Sequence, residues 1–132
     1  MSDAMQILQE AAVSALEAHP VLAVELTGIY DGPPPRAGFP YVSVADGFAN
    51  DWSTKTAQGR EIRLALTVWD DGEEASRLHS LMAHIEDAIA AMPRDLGSWR
   101  VASLVFLRSV VVRDPVGPWA GLVEHRVRML AQ

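Results

Sequence analysis

The chain has 132 residues, 49% of them hydrophobic and 21% charged, which fits one folded domain over residues 1–132 and excludes a disordered chain. It has no cysteine, which excludes a disulfide scaffold and a thiolate metal site and suits assembly in a reducing cytoplasm. A net charge of −6 argues against tight nucleic-acid binding, which needs clustered cations, though an acidic wall lets DNA slide past.

Met1 to Gln6 lacks the basic and long apolar regions of a signal peptide. No apolar run approaches the roughly 18 residues that span a bilayer, so no membrane role is expected. Asp3 is placed to cap a helix running to about His19, with Met5, Leu8, Ala12, Ala15 and Leu16 at helical spacing and Pro20 as its stop. Val21 to Leu26 is apolar but short and reads equally as a helical turn or a strand. Gly28 to Gly38, with Pro33, Pro34 and Pro35, is expected to be a loop, because consecutive prolines cannot join a ladder.

Tyr41 to Asp46 reads as a strand with Val42 and Val44 on one face, followed by a long polar connection from Gly47 to Gly59. Arg60 to Trp69 alternates strictly, with Ile62, Leu64, Leu66 and Val68 facing one way and Glu61, Arg63 and Thr67 the other. These two strands are expected to form an antiparallel hairpin with an extended tip. A helix from about Glu73 to Met92 follows. Leu78, Leu81, Met82, Ile85, Ala88, Ile89 and Met92 form its apolar stripe, and Glu73 and Glu74 suit its N-terminal dipole.

Trp99 to Val112 and Pro118 to Leu130 read as long strands around Asp114-Pro115-Val116-Gly117, a type I turn with Gly117 left-handed. That turn pairs Asp114 with Pro118. It gathers Val101, Val105, Leu107, Val123, Val127 and Met129 on the core face. On the other face it sets Arg108 opposite Glu124, Phe106 opposite Arg126, and Leu104 opposite Arg128. The expected fold is α+β in the order α-β-β-α-β-β: one antiparallel sheet, long hairpins, both helices on one face.

Catalytic or metal-binding patterns are not evident. His79 and His84 point roughly 140° apart around their helix, unlike the i, i+3 or i, i+4 pairs that share an ion, and read as solvated. His125 is expected on the core face as a neutral, satisfied side chain. Asp70-Asp71-Gly72-Glu73-Glu74 lacks the alternating ligands of a calcium loop and is explained by helix initiation. No nucleophile elbow, phosphate loop or dinucleotide fingerprint is present, so no catalytic residue, cofactor or metal is expected. Trp52 in the polar loop is either an anchor onto the body or a subunit contact. The outer hairpin face, with Leu104, Phe106, Arg108, Arg126 and Arg128 beside Val110 and Val112, either has the aromatic-arginine character of a protein interface or is covered by the chain's own proline-rich loop.

The helix ending near Pro20, the Gly28-Ile29-Tyr30 and Phe39-Pro40-Tyr41-Val42 segments, the Trp52…Gly59 loop, the Ile62-to-Trp69 strand and the Glu73-Glu74-Ala75 helix start follow one another in a telling order. In these features the chain resembles the tail terminators (tail completion, head–tail joining proteins) of siphophages and gene transfer agents. The resemblance implies a non-enzymatic virion protein forming a ring, usually hexameric, at the head-proximal end of the tail. That ring would stop tube growth and present a surface to the head. The implied partners are further copies of the chain, the tail tube protein and a head-side connector or stopper, with DNA passing through the lumen unbound. Two alternatives remain open: a dimeric α+β barrel that binds a small ligand or catalyses a cofactor-free step, with His125 as its candidate residue, or a connector or stopper elsewhere in the same virion.

Overall fold

The computed structural model of the protein describes residues 3–32, 36–44, 47–113, 115 and 117–132. The elements are α1 (Ala4–Ala18), α2 (Pro20–Glu25), β1 (Gly28–Asp31), β2 (Tyr41–Val44), β3 (Ala49–Asp51), β4 (Gly59–Asp70), α3 (Ser76–Ala90), β5 (Trp99–Arg113) and β6 (Trp119–Ala131). The α+β class holds, with one helix and two strands beyond the expected order.

The Asp3 carboxylate accepts the Met5 amide at 3.0 Å and caps α1, whose buried stripe is Ala4, Leu8, Ala12 and Leu16. Pro20 does end α1, but it also opens α2 at its first position, where a missing amide costs nothing. The segment between helical turn and strand is therefore helical. His19 caps it, its Nδ1 accepting the amides of Val21 and Leu22 at 3.3 and 3.4 Å.

The sheet runs β1-β2-β4-β6-β5, with β3 also paired to β4. Gly28 to Asp31 is a strand rather than loop, and it lies parallel to β2, the one parallel pair in a sheet expected to be antiparallel throughout. The loop expectation let the prolines speak for residues that precede them. The ladder ends at Gly32, whose φ of 85° turns the chain and whose amide donates to the Val44 carbonyl at 3.0 Å. Pro33, Pro34 and Pro35 lie outside the described residues, as do Ala45 and Asp46 at the end of the expected second strand.

The expected β2–β4 hairpin forms, with Val42 opposite Val68 and Val44 opposite Leu66. Ile62, Leu64, Leu66 and Val68 are buried against the helices together with Val123, Val127 and Met129 of β6. Helix α3 supplies Leu78, Leu81, Ile85 and Ile89, each fully buried and each stabilising the fold by about 1.5–3 kcal/mol of transfer free energy. It lies so close to β6 that a Cβ on Gly121 would sit 2.6 Å from Met82 Sδ.

α3 starts at Ser76, later than the acidic run suggested, with Ala75 at its cap and no side-chain capping bond. The first acidic residue has another task. Asp70 ends β4 fully buried and accepts hydrogen bonds from Nε and a terminal nitrogen of Arg77 in the first turn of α3. The guanidinium holds this carboxyl below the usual carboxylate range.

Near its tip the β5–β6 hairpin has the expected register, with Arg113 opposite Trp119 and Arg108 opposite Glu124. The turn itself depends on Asp114 and Val116, outside the described residues. Further from the turn the register departs twice, between Phe106 and Arg108 and between Val101 and Ser103. Each irregularity adds a residue to β5 and moves the pairing by one.

A candidate assembly surface on the open face of the sheet

The first bulge rearranges the expected interface. Phe106 lies opposite His125, and Leu104 opposite Val127, not opposite Arg126 and Arg128. Directly paired residues share a face, so Leu104 and Phe106 belong to the helix side. Leu104 packs against the core, and the Phe106 ring meets the His125 ring edge-on at 5.7 Å. Phe106 is still 45% exposed, on the edge strand of the sheet, although His125 opposite it is buried. Val105, expected in the core, pairs with Arg126 on the open face, and Leu107 is the unpaired bulge residue. An inserted residue with no sequence mark reversed the faces of the strand beyond it.

The charged residues stay where expected. Arg63 of β4 faces Arg126 of β6, and Glu61 faces Arg128. Glu124 receives Arg63 at 3.3 Å and Arg108 at 3.6 Å, while Arg128 reaches Glu61 at 3.4 Å. Trp52 folds onto this face, with the Arg128 guanidinium 5.3 Å from its ring centre, and Arg63 lies 5.8 Å from the Phe48 ring. Trp52, Arg108, Arg126 and Arg128 thus belong to one open face. Phe106 and Leu104 belong to the other.

Four arginines here meet two glutamates, and Arg126 is the unmatched one. Its Nε is buried without a hydrogen-bond partner, and it stands opposite another arginine. A positive surplus on a chain of net charge −6 concentrates cationic character on this one face.

Toward β1 the same face becomes aromatic. Tyr41 touches Tyr30, Phe39 and Trp69, with ring centres 5.9, 5.6 and 6.3 Å apart. Trp69 also donates to Ser43 Oγ at 3.3 Å. Hairpin geometry explains the Trp52…Gly59 spacing: the Trp52 amide donates to the Gly59 carbonyl at 2.9 Å. A Cβ on Gly59 would lie 2.2 Å from the Trp52 carbonyl oxygen. Phe48 was not singled out in the sequence, and Tyr30, Phe39, Tyr41 and Trp69 only as parts of segments; the alternation of Tyr41 with Val42 and of Trp69 with Val68 on paired strands was the available signal for the ladder.

The histidines divide. His125 is buried as expected, and burial pushes its pKa below the ordinary value. It is not satisfied as expected, since its Nδ1 is buried without a hydrogen-bond partner. His79 is exposed, but His84 is half-buried against His19 rather than solvated, with ring centres 5.1 Å apart. Among the described residues, no helix is long and apolar enough to cross a membrane.

Arginines and aromatic rings interleaved on an open sheet face have the composition of a protein contact surface, which makes this face a candidate assembly surface. Comparison with known proteins gives the family: residues 10–130 match tail completion protein gp17, and the chain belongs to that family. These are structural virion proteins rather than enzymes, and the chain is accordingly a virion tail component with a structural role in tail completion. A chain of a native gene transfer agent virion is 24% identical, with 100% of both chains covered and a TM-score of 0.78. Bacteriophage SPP1 gp17 protein is 21% identical over 94% of this chain and 89% of its own, with a TM-score of 0.63. At these identities the likeness is one of fold. No curated protein matches the chain.

Proposed function

We propose that this protein acts as one domain over residues 1–132 and assembles into a closed hexameric ring. The ring caps the head-proximal end of the tail tube, stops tube polymerisation and presents the surface to which the head attaches. Its partners are its own copies, the tail tube protein and a head-side connector or stopper, and DNA passes through the lumen without specific binding. Assembly takes place in the host cytoplasm.

The observation that carries this reading is the open sheet face, where Trp52, Arg108, Arg126 and Arg128 lie together and Arg126 Nε is buried with no hydrogen-bond partner among the described residues. Placing that face against itself would set arginine against arginine, whereas a head-to-tail contact sets it against a different surface of the next copy. Head-to-tail contacts close into rings when the rotation between successive copies closes, as we propose it does here. The acidic run at Asp71, Glu73 and Glu74, just before α3, offers charge of the opposite sign.

The test has two parts. Analytical ultracentrifugation and negative-stain imaging of the purified protein are expected to show rings with a central hole. Electron microscopy of a deletion strain is expected to show tails of uncontrolled length or heads and tails that fail to join. Compact dimers, together with joined tails of normal length in the deletion strain, would refute the proposal and favour the dimeric barrel.

A further inference from the structure

We propose that His19, His84 and Asp87 form a divalent transition-metal site that ties the joint between α1 and α2 to α3. This departs from the sequence-based expectation of no metal, which weighed His84 only against His79. The relevant partner comes instead from the other side of the helix layer.

One ligand atom from each of the three residues lies within 4.8 Å of the other two. His84 and Asp87 are three apart on α3 and therefore share a face. His19 approaches from the α1–α2 junction, with its ring tilted 57° to that of His84. A pair of packed imidazoles beside a carboxylate is by itself an ordinary contact. The second observation is that His84 Nδ1 is buried and has no hydrogen-bond partner. Coordination through Nδ1 gives that atom the polar interaction it lacks among the described residues, whereas simple packing leaves it unmet.

The donor set selects the ion. Two imidazoles and one carboxylate suit zinc, cobalt or nickel, and they are poor ligands for calcium or magnesium, which take oxygen shells. Three protein ligands leave the fourth tetrahedral position to water or to a group on another protein. Asp87 is exposed, so an ion reaches the site from solvent.

Coordination also changes the helix joint. His19 Nδ1 is the acceptor for the amides of Val21 and Leu22, so the neutral ring carries its proton on Nε2. Ligation through Nδ1 uses the capping lone pair, and ligation through Nε2 moves the proton onto Nδ1. Either route gives up the cap. At 3.3 and 3.4 Å these are long hydrogen bonds, readily exchanged for a metal bond.

The experiment titrates the full chain, free of any purification tag, with cobalt(II) and then zinc(II) at neutral pH. The expected result is visible cobalt absorption saturating at one ion per chain and abolished by zinc. Hydrogen exchange at the Val21 and Leu22 amides should speed up at saturation. His84→Gln and Asp87→Asn are each expected to weaken binding more than about tenfold, and His79→Gln to leave it unchanged. Asp87 is on the surface, so Asp87→Asn tests the site even if His84→Gln destabilises the fold. Absence of saturable binding, unchanged affinity in a natively folded Asp87→Asn protein, or unaltered exchange at both amides would overturn the proposal. None of these readouts depends on ring formation.

Discussion

Arg77→Ala and Asp70→Ala delete the same ion pair, yet they are expected to differ in cost. Asp70 is fully buried, whereas the Arg77 side chain is 49% exposed. Without the arginine, a carboxylate remains stranded at the end of β4, held only by the backbone amides of Asp71 and Gly72. Breaking a buried pair from one side costs about 3–5 kcal/mol when the remaining charge cannot reach water. Solvent around the guanidinium and the two amides reduce that, so we expect about 3 kcal/mol for Arg77→Ala. Asp70→Ala leaves a guanidinium already half in water and should cost about 1–2 kcal/mol. In a chain of this length these losses correspond to falls in Tm of roughly 10 °C and 5 °C.

Acid reveals the same pair. Because the folded carboxyl titrates below its unfolded value of about 3.9, its stabilisation is complete above that pH and is lost as pH falls through the folded value. Urea denaturation followed by circular dichroism, at neutral pH and near pH ~3, measures both effects for the two single variants and the double variant. Equal losses, or a larger loss for Asp70→Ala, would refute the reasoning.

Three further outcomes are expected. Phe106→Asp should fold, since the ring is 45% exposed, while placing a carboxylate beside His125 that raises the pKa of that histidine, and it should leave tail length unchanged because Phe106 lies off the open face. Circular dichroism, an NMR titration of His125 and a tail-length assay measure these effects, and an unfolded variant would make Phe106 a core residue. Gly59→Ala should lose about 1–3 kcal/mol in urea denaturation, because its Cβ meets the Trp52 backbone rather than a flexible side chain, and a neutral result would contradict this close approach. His125 is neutral in the fold because of burial, so stability should hold above about pH 6.5 and decline as pH falls toward the depressed folded value. That part of the decline should vanish in His125→Gln, and an unchanged pH profile would count against it.

Strong periodicity made the centre of the fold legible. The alternating residues of β4 and the apolar stripe of α3 are buried as expected. Short elements were less visible: β1 has four residues and β3 three, too few for a pattern to rise above neighbouring prolines or a polar loop. The register near the hairpin tip followed from turn chemistry, but the bulge at Leu107 has no glycine or other sequence signal to mark it. The arginines of the open face were therefore recognised, and between the two irregularities Leu104, Val105 and Phe106 were assigned to the wrong side. Tertiary pairs such as Asp70 with Arg77 and His19 with His84 depend on how elements dock, which no single helix or strand encodes.

The strand order sets a problem of timing. β6 is the last strand of the sheet to be synthesised, yet it lies between β4 and β5. Until it arrives, β4 is a 12-residue strand with one apolar face and an unpaired edge, and β5 has no neighbour in the sheet. Open edges of this kind are templates for pairing with other chains, and contacts so distant in sequence slow folding. The nascent chain is thus most vulnerable to aggregation just before β6 emerges. The same insertion then makes closure of the sheet nearly simultaneous with completion of its core, because Val123, Val127 and Met129 enter together.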